Sequence, residues 1–383
     1  MRLFTISSLL LLSLASVSNA SPKLENHECK ACHPKIYKEY QSSHHANSSI
    51  YKDEIFNAIW EKHPAKAKNN FKCAKCHTPS DHALMKDPST LAKNEIQMTE
   101  PISCQHCHQI ESVEKHTKSN KNILTKKEKT FFASDPEKKG TKLEFKEKRS
   151  LFGLFTTKIG SPYHDIDYSN EDYYTGNSCM GCHSHKQNSN DFTICDLEVK
   201  ESEGKDTCTT CHMPQVSGSM ANQKVTKTHA FHSSSALISK PALLSKYILL
   251  DLKKADNGFS VTVENKANHT LVPHPLRLAK LRVTIERAGK TIKIKPKTFV
   301  KVIGDKGKAT FPWLATEIIK DSSIKAFEMR EVTFEEKLQK GDRVTVEFGY
   351  HIVNPKISKK LELKDKSLSK FVILTKKQFS ISE

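Results

Sequence analysis

Beyond its first twenty residues the 383-residue sequence has no apolar run of the 18 or more residues that a membrane-crossing helix needs. Apolar side chains are scarce from Ser21 to about Ser235, so a conventional side-chain core is not what holds that stretch together. Acidic residues are also in short supply, 43 Asp and Glu against 61 Lys and Arg, for a formal net charge of +18. Such an excess is one mark of nucleic-acid binding, but the start of the chain argues otherwise. Arg2 precedes an apolar run from Leu3 to Leu14, and Ser18-Asn19-Ala20 offers small residues for cleavage after Ala20. Residues 1–20 therefore read as a signal peptide, and the mature chain as a soluble exported protein, periplasmic in a bacterium with two membranes. No cysteine sits at the cleavage site to carry lipid. Export excludes nucleic acid as a partner. The positive charge is then expected to serve acidic redox proteins, an anionic membrane surface or small anions.

What the sequence does have is cysteine in a repeated pattern. Ten of its eleven cysteines fall into five C-x-x-C-H units, opening at Cys29, Cys73, Cys104, Cys179 and Cys208. Two thiols three positions apart can add to the two vinyl groups of one porphyrin, and the adjoining histidine is then held beneath the iron. At this composition one such unit is expected by chance about 0.02 times per chain, so five copies decide the matter. Structural zinc joins C-x-x-C pairs two at a time, which leaves one over, and explains no histidine after every second cysteine. The expected cofactors are five haem c. Covalent attachment falls to Cys29 and Cys32, Cys73 and Cys76, Cys104 and Cys107, Cys179 and Cys182, and Cys208 and Cys211. The proximal iron ligands are His33, His77, His108, His183 and His212. Porphyrin supplies the apolar bulk that side chains lack, and haem c is attached outside the cytoplasmic membrane, in agreement with export. Cys195 is left without a partner and reads as an inert buried thiol.

Short helices are expected between the motifs. Ile36, Tyr37 and Tyr40 recur at helical spacing, as do Ile55, Phe56, Ile59 and Trp60 before His63-Pro64. Residues 115–149 hold 12 Lys or Arg against 5 Asp or Glu and read as a solvated insertion, with a docking face for an acidic partner as the alternative. After Ser235 the pattern changes to strands: 247–252, 259–263, 281–285, 291–294, 343–350 and 371–374, with turns at Asp256-Asn-Gly258, Ala288-Gly289 and Lys340-Gly-Asp342. The expected fold class is α+β: a mainly helical or irregular multihaem domain over residues 21–235, followed by a β-sandwich without a haem motif over 236–383.

The second axial position of each iron decides function, since a histidine there closes the haem and an open position admits substrate. Fourteen histidines remain outside the motifs, enough to close all five. The run Cys29-x-x-Cys32-His33 with Tyr37, Tyr40 and Ser43-His44-His45-Ala46 resembles the opening of the multihaem cytochromes related to the nitrifiers' tetrahaem cytochrome c-554. Cys73-Ala-Lys-Cys76-His77-Thr-Pro79, Ile102-Ser-Cys104, Ser161-Pro-Tyr-His164 and Cys211-His212-Met213-Pro214 with Thr228-His229-Ala-Phe231 extend the resemblance. It implies a distal role for His45, with His44 an ambiguous neighbour, and distal roles for His164 and His229. The stretch from Ser235 on resembles the β-domain appended to many of these proteins. There the resemblance points to His269, with His274 as competitor, because Asn268 replaces the family's glycine and Pro273 arrives one position late. His116 is a further distal candidate on position alone.

Two functions follow. One is a periplasmic pentahaem cytochrome passing electrons between redox partners, acidic proteins or membrane-bound quinol-linked cytochromes, in an anaerobic or nitrogen/sulfur respiratory chain. The other is a multihaem oxidoreductase acting on a small nitrogen or sulfur species at one open haem. Ammonia-forming nitrite reductases typically mark their active haem by lysine after C-x-x-C, and all five motifs here end in histidine, which favours the carrier. His164 and His229 bracket the segment Cys179–His212, so mutual ligation within that unit, by a closely packed pair of haems, is also expected.

Overall fold

One turn of α-helix brings residues three apart to the same face, which is the placement two thioether-forming cysteines need. Each motif lies on or beside such a turn: Cys104–His108 and Cys208–His212 hold whole motifs, Ala74–His77 and Met180–His183 follow the capping Cys73 and Cys179, and Asn26–Lys30 ends within the first motif, whose His33 N–H still donates to the Cys29 carbonyl at 2.8 Å. Local side chains start several of them. Ser103 accepts from the His106 N–H, and Thr207 and Thr210 form a reciprocal capping box. The computed structural model describes residues 24–68, 72–81, 99–150, 156–201, 206–223, 225–233 and 242–382. The expected signal peptide at 1–20, His82 and the expected boundary after residue 235 lie outside them.

Two longer helices follow the sequence periodicity. Pro34–Gln41 starts with proline at its first position, and Glu54–Lys62 starts where Asp53 accepts from the Ile55 and Phe56 N–H groups. The second ends at His63, held extended by Pro64. Its buried Phe56 and Trp60 pack with Ile50 and Ala74, so this helix seats the second motif. The motif-bearing part also contains many short strands. Ile110–Glu114 pairs with Lys121–Leu124, Thr130–Phe132 lies parallel to Asp165–Asp167, and Gln215–Ser217 pairs with Thr228–Ala230. The basic stretch is thus folded into hairpins, one of which, Lys146–Arg149 with Thr156–Ile159, is exposed along its length.

From Ile248 onward strands dominate, as alternation in the sequence requires, and the fold is α+β. One sheet runs Ile248–Ala255, Gly258–Asn265, Met329–Phe334. Another carries Lys290–Lys293, Leu278–Arg287, Arg343–His351 and Phe371–Ser380, with Lys297–Phe299 also on Leu278–Arg287. Val261 and Val263 of the first sheet and Leu281, Ile285, Val344, Val346 and Phe348 of the second are fully buried in one apolar cluster. A smaller sheet, Lys301–Asp305 with Lys308–Ala309 and Glu317–Asp321, lies outside these two.

The β-rich part holds the helix of the second motif's neighbourhood directly. Ile55, Ala58 and Ile59 pack against Val353, Leu361 and Leu363, and the Glu54 carboxylate accepts from the backbone N–H groups of Lys364 and Asp365. Among the described residues no helix is long and apolar enough to cross a membrane.

Candidate functional site

An iron atom bonded to one nitrogen of each of two imidazoles holds the ring centroids roughly 6 Å apart, because each metal–nitrogen bond is about 2 Å. Four motif histidines face a second imidazole at that separation. His33 and His164 are 6.3 Å apart, His183 and His45 5.9 Å, His108 and His232 6.2 Å, and His212 and His269 6.1 Å. The residues therefore fit a metalloporphyrin closed on both faces at four of the five motifs.

Hydrogen bonding fixes which nitrogen is free. The Nδ1–H of His33 donates to the Met220 carbonyl at 2.7 Å, that of His108 to Phe132 at 2.8 Å, that of His232 to Ala230 at 2.6 Å and that of His269 to Thr270 at 3.0 Å. His77 is likewise bonded to the Ser48 backbone. A proton held on Nδ1 leaves the Nε2 lone pair for a metal. Burial also keeps these rings neutral: it pushes His45, His212 and His232 down to about 4 and lowers His77, His108, His183, His164 and His269.

The structure brings His45, His164 and His269 to proximal histidines and leaves three other candidates elsewhere. His229 is buried on the strand Thr228–Ala230 with both ring nitrogens occupied, Nδ1 at the Gly218 carbonyl and Nε2 at the Glu39 carboxylate 3.0 Å away. The chain leaves that strand and delivers His232 instead, whose N–H donates to the same Glu39. In this arrangement neither His229 ring nitrogen is free for the distal role the sequence resemblance implied. His116 lies exposed on the turn of the hairpin Ile110–Glu114/Lys121–Leu124, its Nδ1 accepting from the Lys118 N–H, far from the role expected of it. His44 points toward the surroundings of Arg277 and Asp53 while its neighbour His45 faces His183. The rings facing the motif histidines of the segment Cys179–His212 come from outside the unit bracketed by His164 and His229. His183 and His212 find their partners in His45 and His269, and His164, carried beside Phe131 by the parallel strand pair, faces His33. The sequence signal for His232 was only its place three residues after a family-like Thr-His-Ala.

His77 stands apart. It stacks on Phe56 at 4.0 Å, and among the described residues no second imidazole is in ring contact with it. His274 is near enough for the two charges to repel, but its Nδ1 accepts the Leu276 N–H at 3.2 Å, which puts its proton on Nε2.

The cysteines show how the motifs neighbour one another. No disulfide joins any of the eleven. The thiols of Cys29 and Cys104, of Cys76 and Cys182, and of Cys179 and Cys208 lie close enough to shift one another's ionisation, so the first motif adjoins the third, the second the fourth and the fourth the fifth. Two glycines permit this packing. A Cβ on Gly176 would meet the Cys208 Cβ at 2.7 Å, and one on Gly181 would lie 1.7 Å from Asn122 Oδ1 and 2.9 Å from its backbone nitrogen. Cys195 is half-buried, its thiol pushed up by desolvation.

Helix-borne motifs with opposed imidazoles define a class, the multihaem c-type cytochromes. Residues 28–109, which hold the first three motifs, match the family model Cytochrome c554 and c-prime. Among solved structures, the penta-heme cytochrome c552 from Thermochromatium tepidum has a TM-score of 0.67 and 20% identity over 94% of this chain and 99% of that chain. At that identity the likeness is one of fold. No curated protein matches the sequence. The two matches support a multihaem c-type cytochrome of the c554 type, and with it haem c and electron transfer.

Proposed function

We propose that the chain is an exported, periplasmic cytochrome that carries five haem c groups and passes electrons between redox partners of a respiratory chain. The observation that carries this reading is the set of four imidazole pairs at 5.9 to 6.3 Å. In it, the ten motif cysteines hold the porphyrins and His33, His77, His108, His183 and His212 are proximal. His164, His45, His232 and His269 then close four sites, which keeps small molecules off the iron and favours a carrier. Haem c supplies the one-electron chemistry, and the polypeptide sets spacing and surroundings. The adjoining sulfurs support an order in which the fourth motif is a junction, touching both the second and the fifth.

The layout proposed is a haem-bearing segment over 21–235 and a β-sandwich over 236–383. The sandwich contributes His269 to the fifth motif, which gives a domain without haem a reason to be attached. Partners are expected to be acidic proteins or quinol-linked cytochromes. The basic hairpins are a weaker docking face than their composition implies, because Lys118, Lys121, Lys139 and Lys142 are paired with local carboxylates at 2.8 to 3.0 Å.

A second reading, an oxidoreductase acting on a small nitrogen or sulfur species, is favoured by one observation: among the described residues no second imidazole is in ring contact with His77, as one is with each of the other four motif histidines. The intact mass of protein exported from a host able to attach haem c tests the first reading. Five added haems are expected; a mass without haem removes the proposal.

A further inference from the structure

The turn at residues 311–314 joins the small sheet of the β-rich part to the second motif, and its backbone is held from two sides. The Leu314 N–H donates to the Phe311 carbonyl at 3.0 Å and the Thr316 N–H to the Gly304 carbonyl at 2.8 Å. Asn188, from the hairpin that follows the fourth motif, donates from Nδ2 to the Pro312 and Ala315 carbonyls at 2.9 and 2.7 Å. Fixed in this way, the turn begins a row of rings. Phe311 stacks on Trp313 at 4.6 Å, Trp313 meets His63 at 4.9 Å, and His63 stacks with Trp60 at 6.1 Å. Trp60 packs in one cluster with Phe56, and Phe56 stacks on His77 at 4.0 Å. Packed rings therefore run from the second motif out to the turn.

At its outer end the row opens onto apolar surface. Leu314 is 51% exposed, and Ile318 and Ile319, on the edge strand Glu317–Asp321, are 49% and 40% exposed. Water-facing apolar side chains gathered at aromatic rings make the centre of a protein-docking surface. The rim is basic. Lys306, Lys308 and Lys320 of the small sheet and Lys356, Lys359 and Lys360 of the helix Pro355–Lys360 are all exposed. The Lys360 Nζ lies 4.6 Å from the Phe311 ring, and Ile357 of the same helix packs in one cluster with Phe311. Among the described residues none of these six lysines forms an ion pair, in contrast to those of the basic hairpins. The acids beside them are engaged, Asp305 by the Thr316 hydroxyl at 2.7 Å and Glu317 by the Gly307 N–H at 2.5 Å. A basic rim about an apolar centre selects an acidic protein.

We propose that Trp313, Leu314, Ile318 and Ile319, with the lysines around them, form the docking surface for an acidic redox protein that exchanges electrons with the chain through the second motif. This rests on the reading of the chain as a haem-bearing electron carrier. In each exchange one electron moves between the partner's cofactor and one haem iron, so that one is oxidised as the other is reduced, and no bond forms or breaks. The patch answers where such a partner docks, since the lysines of the basic hairpins are occupied by their own carboxylates.

The test uses the holoprotein with a plant-type ferredoxin, an acidic one-electron protein, as the probe. Calorimetry reads binding of the two oxidised proteins, and stopped flow reads haem reduction by the reduced ferredoxin. Binding is expected to weaken about tenfold or more between about 0.01 M and about 0.15 M salt. Lys308→Glu/Lys320→Glu/Lys360→Glu is expected to weaken binding at low salt, and to slow reduction, by about tenfold. Lys253→Glu/Lys290→Glu/Lys293→Glu makes the same charge change on the strands Ile248–Ala255 and Lys290–Lys293 and is expected to leave both within about twofold. Ile318→Ser is expected to weaken binding about threefold or more at either salt. Equal effects in the two triple variants, or none in either, would overturn the docking surface. Binding of phosphatidylglycerol vesicles but not of ferredoxin through the same lysines would assign the patch to a membrane and overturn it too. Haem lost from Ile318→Ser, counted by intact mass, would make that side chain a cover for porphyrin and overturn it as well. A wild-type mass without haem would instead remove the carrier reading.

Discussion

At the residue scale the histidines divide by what their second nitrogen does. A ring whose Nδ1 donates to a backbone carbonyl and whose Nε2 is free, as in His33, His108, His232 and His269, is prepared for a metal. A ring with both nitrogens engaged, as in His229, is not. His232→Ala is therefore expected to convert one low-spin haem to a high-spin, ligand-accessible one, while His229→Ala leaves the low-spin count unchanged. Spin quantitation of the two oxidised variants checks this, and a reversed result would restore His229 as the ligand. Gly181 gives a second test. Its Cβ would strike both the side chain and the backbone of Asn122, so Gly181→Ala is expected to cost about 1–3 kcal/mol and to lower haem incorporation at the fourth motif, read by denaturant titration and mass.

At the scale of elements, much was legible from the sequence. The apolar positions Ile55, Phe56, Ile59 and Trp60 forecast the helix Glu54–Lys62, and alternation forecast strands that the structure extends to Gly258–Asn265, Leu278–Arg287 and Arg343–His351. The strands Lys297–Phe299, Lys301–Asp305, Glu317–Asp321 and Met329–Phe334 were not forecast: the first three are short and carry lysines or acids, and Met329–Phe334 alternates in burial but places Arg330 on its inward face. The motifs were legible because covalent chemistry fixes their spacing. Three of the four opposed rings, His45, His164 and His269, were candidates by resemblance, but His232 and the pairings were not legible, because partners lie up to 138 positions apart in sequence, as His183 and His45 do, and no local pattern records such a contact. Leu281, fully buried between the two larger sheets, offers a test of their shared core. Leu281→Ala is expected to cost about 2–5 kcal/mol in denaturant unfolding, and a cost near zero would argue that the sheets do not form one core.

At the scale of the molecule, cofactor and side chains share the work of a core. The apolar clusters of the motif-bearing part are small, Ile50, Phe56, Trp60 and Ala74 in one and Phe231 with Leu244 in another, whereas the two larger sheets share an extensive cluster. The buried neutral histidines also make the fold acid-sensitive. With His45, His212 and His232 lowered to about 4 by burial and the unfolded value near 6.5, the unfolded chain takes up protons between those limits that the folded chain does not. Stability is then fully present above about pH 6.5 and is lost as pH falls toward 4. In the holoprotein iron competes with protons for the same nitrogens, so lowering the pH from 7.5 toward 4 is expected to lower the thermal midpoint and to raise the high-spin signal, and a low-spin count and midpoint that both stay constant would contradict the assignment of these rings as ligands.

The measurement that bears most directly on the whole arrangement is spin quantitation of the fully oxidised holoprotein by electron paramagnetic resonance, repeated with nitrite present. Four low-spin haems and one high-spin haem, with only the high-spin signal altered by nitrite, are expected from four imidazole pairs and a His77 with which, among the described residues, no second imidazole is in ring contact. Five low-spin haems indifferent to nitrite, or high-spin signals from more than one site, would contradict it.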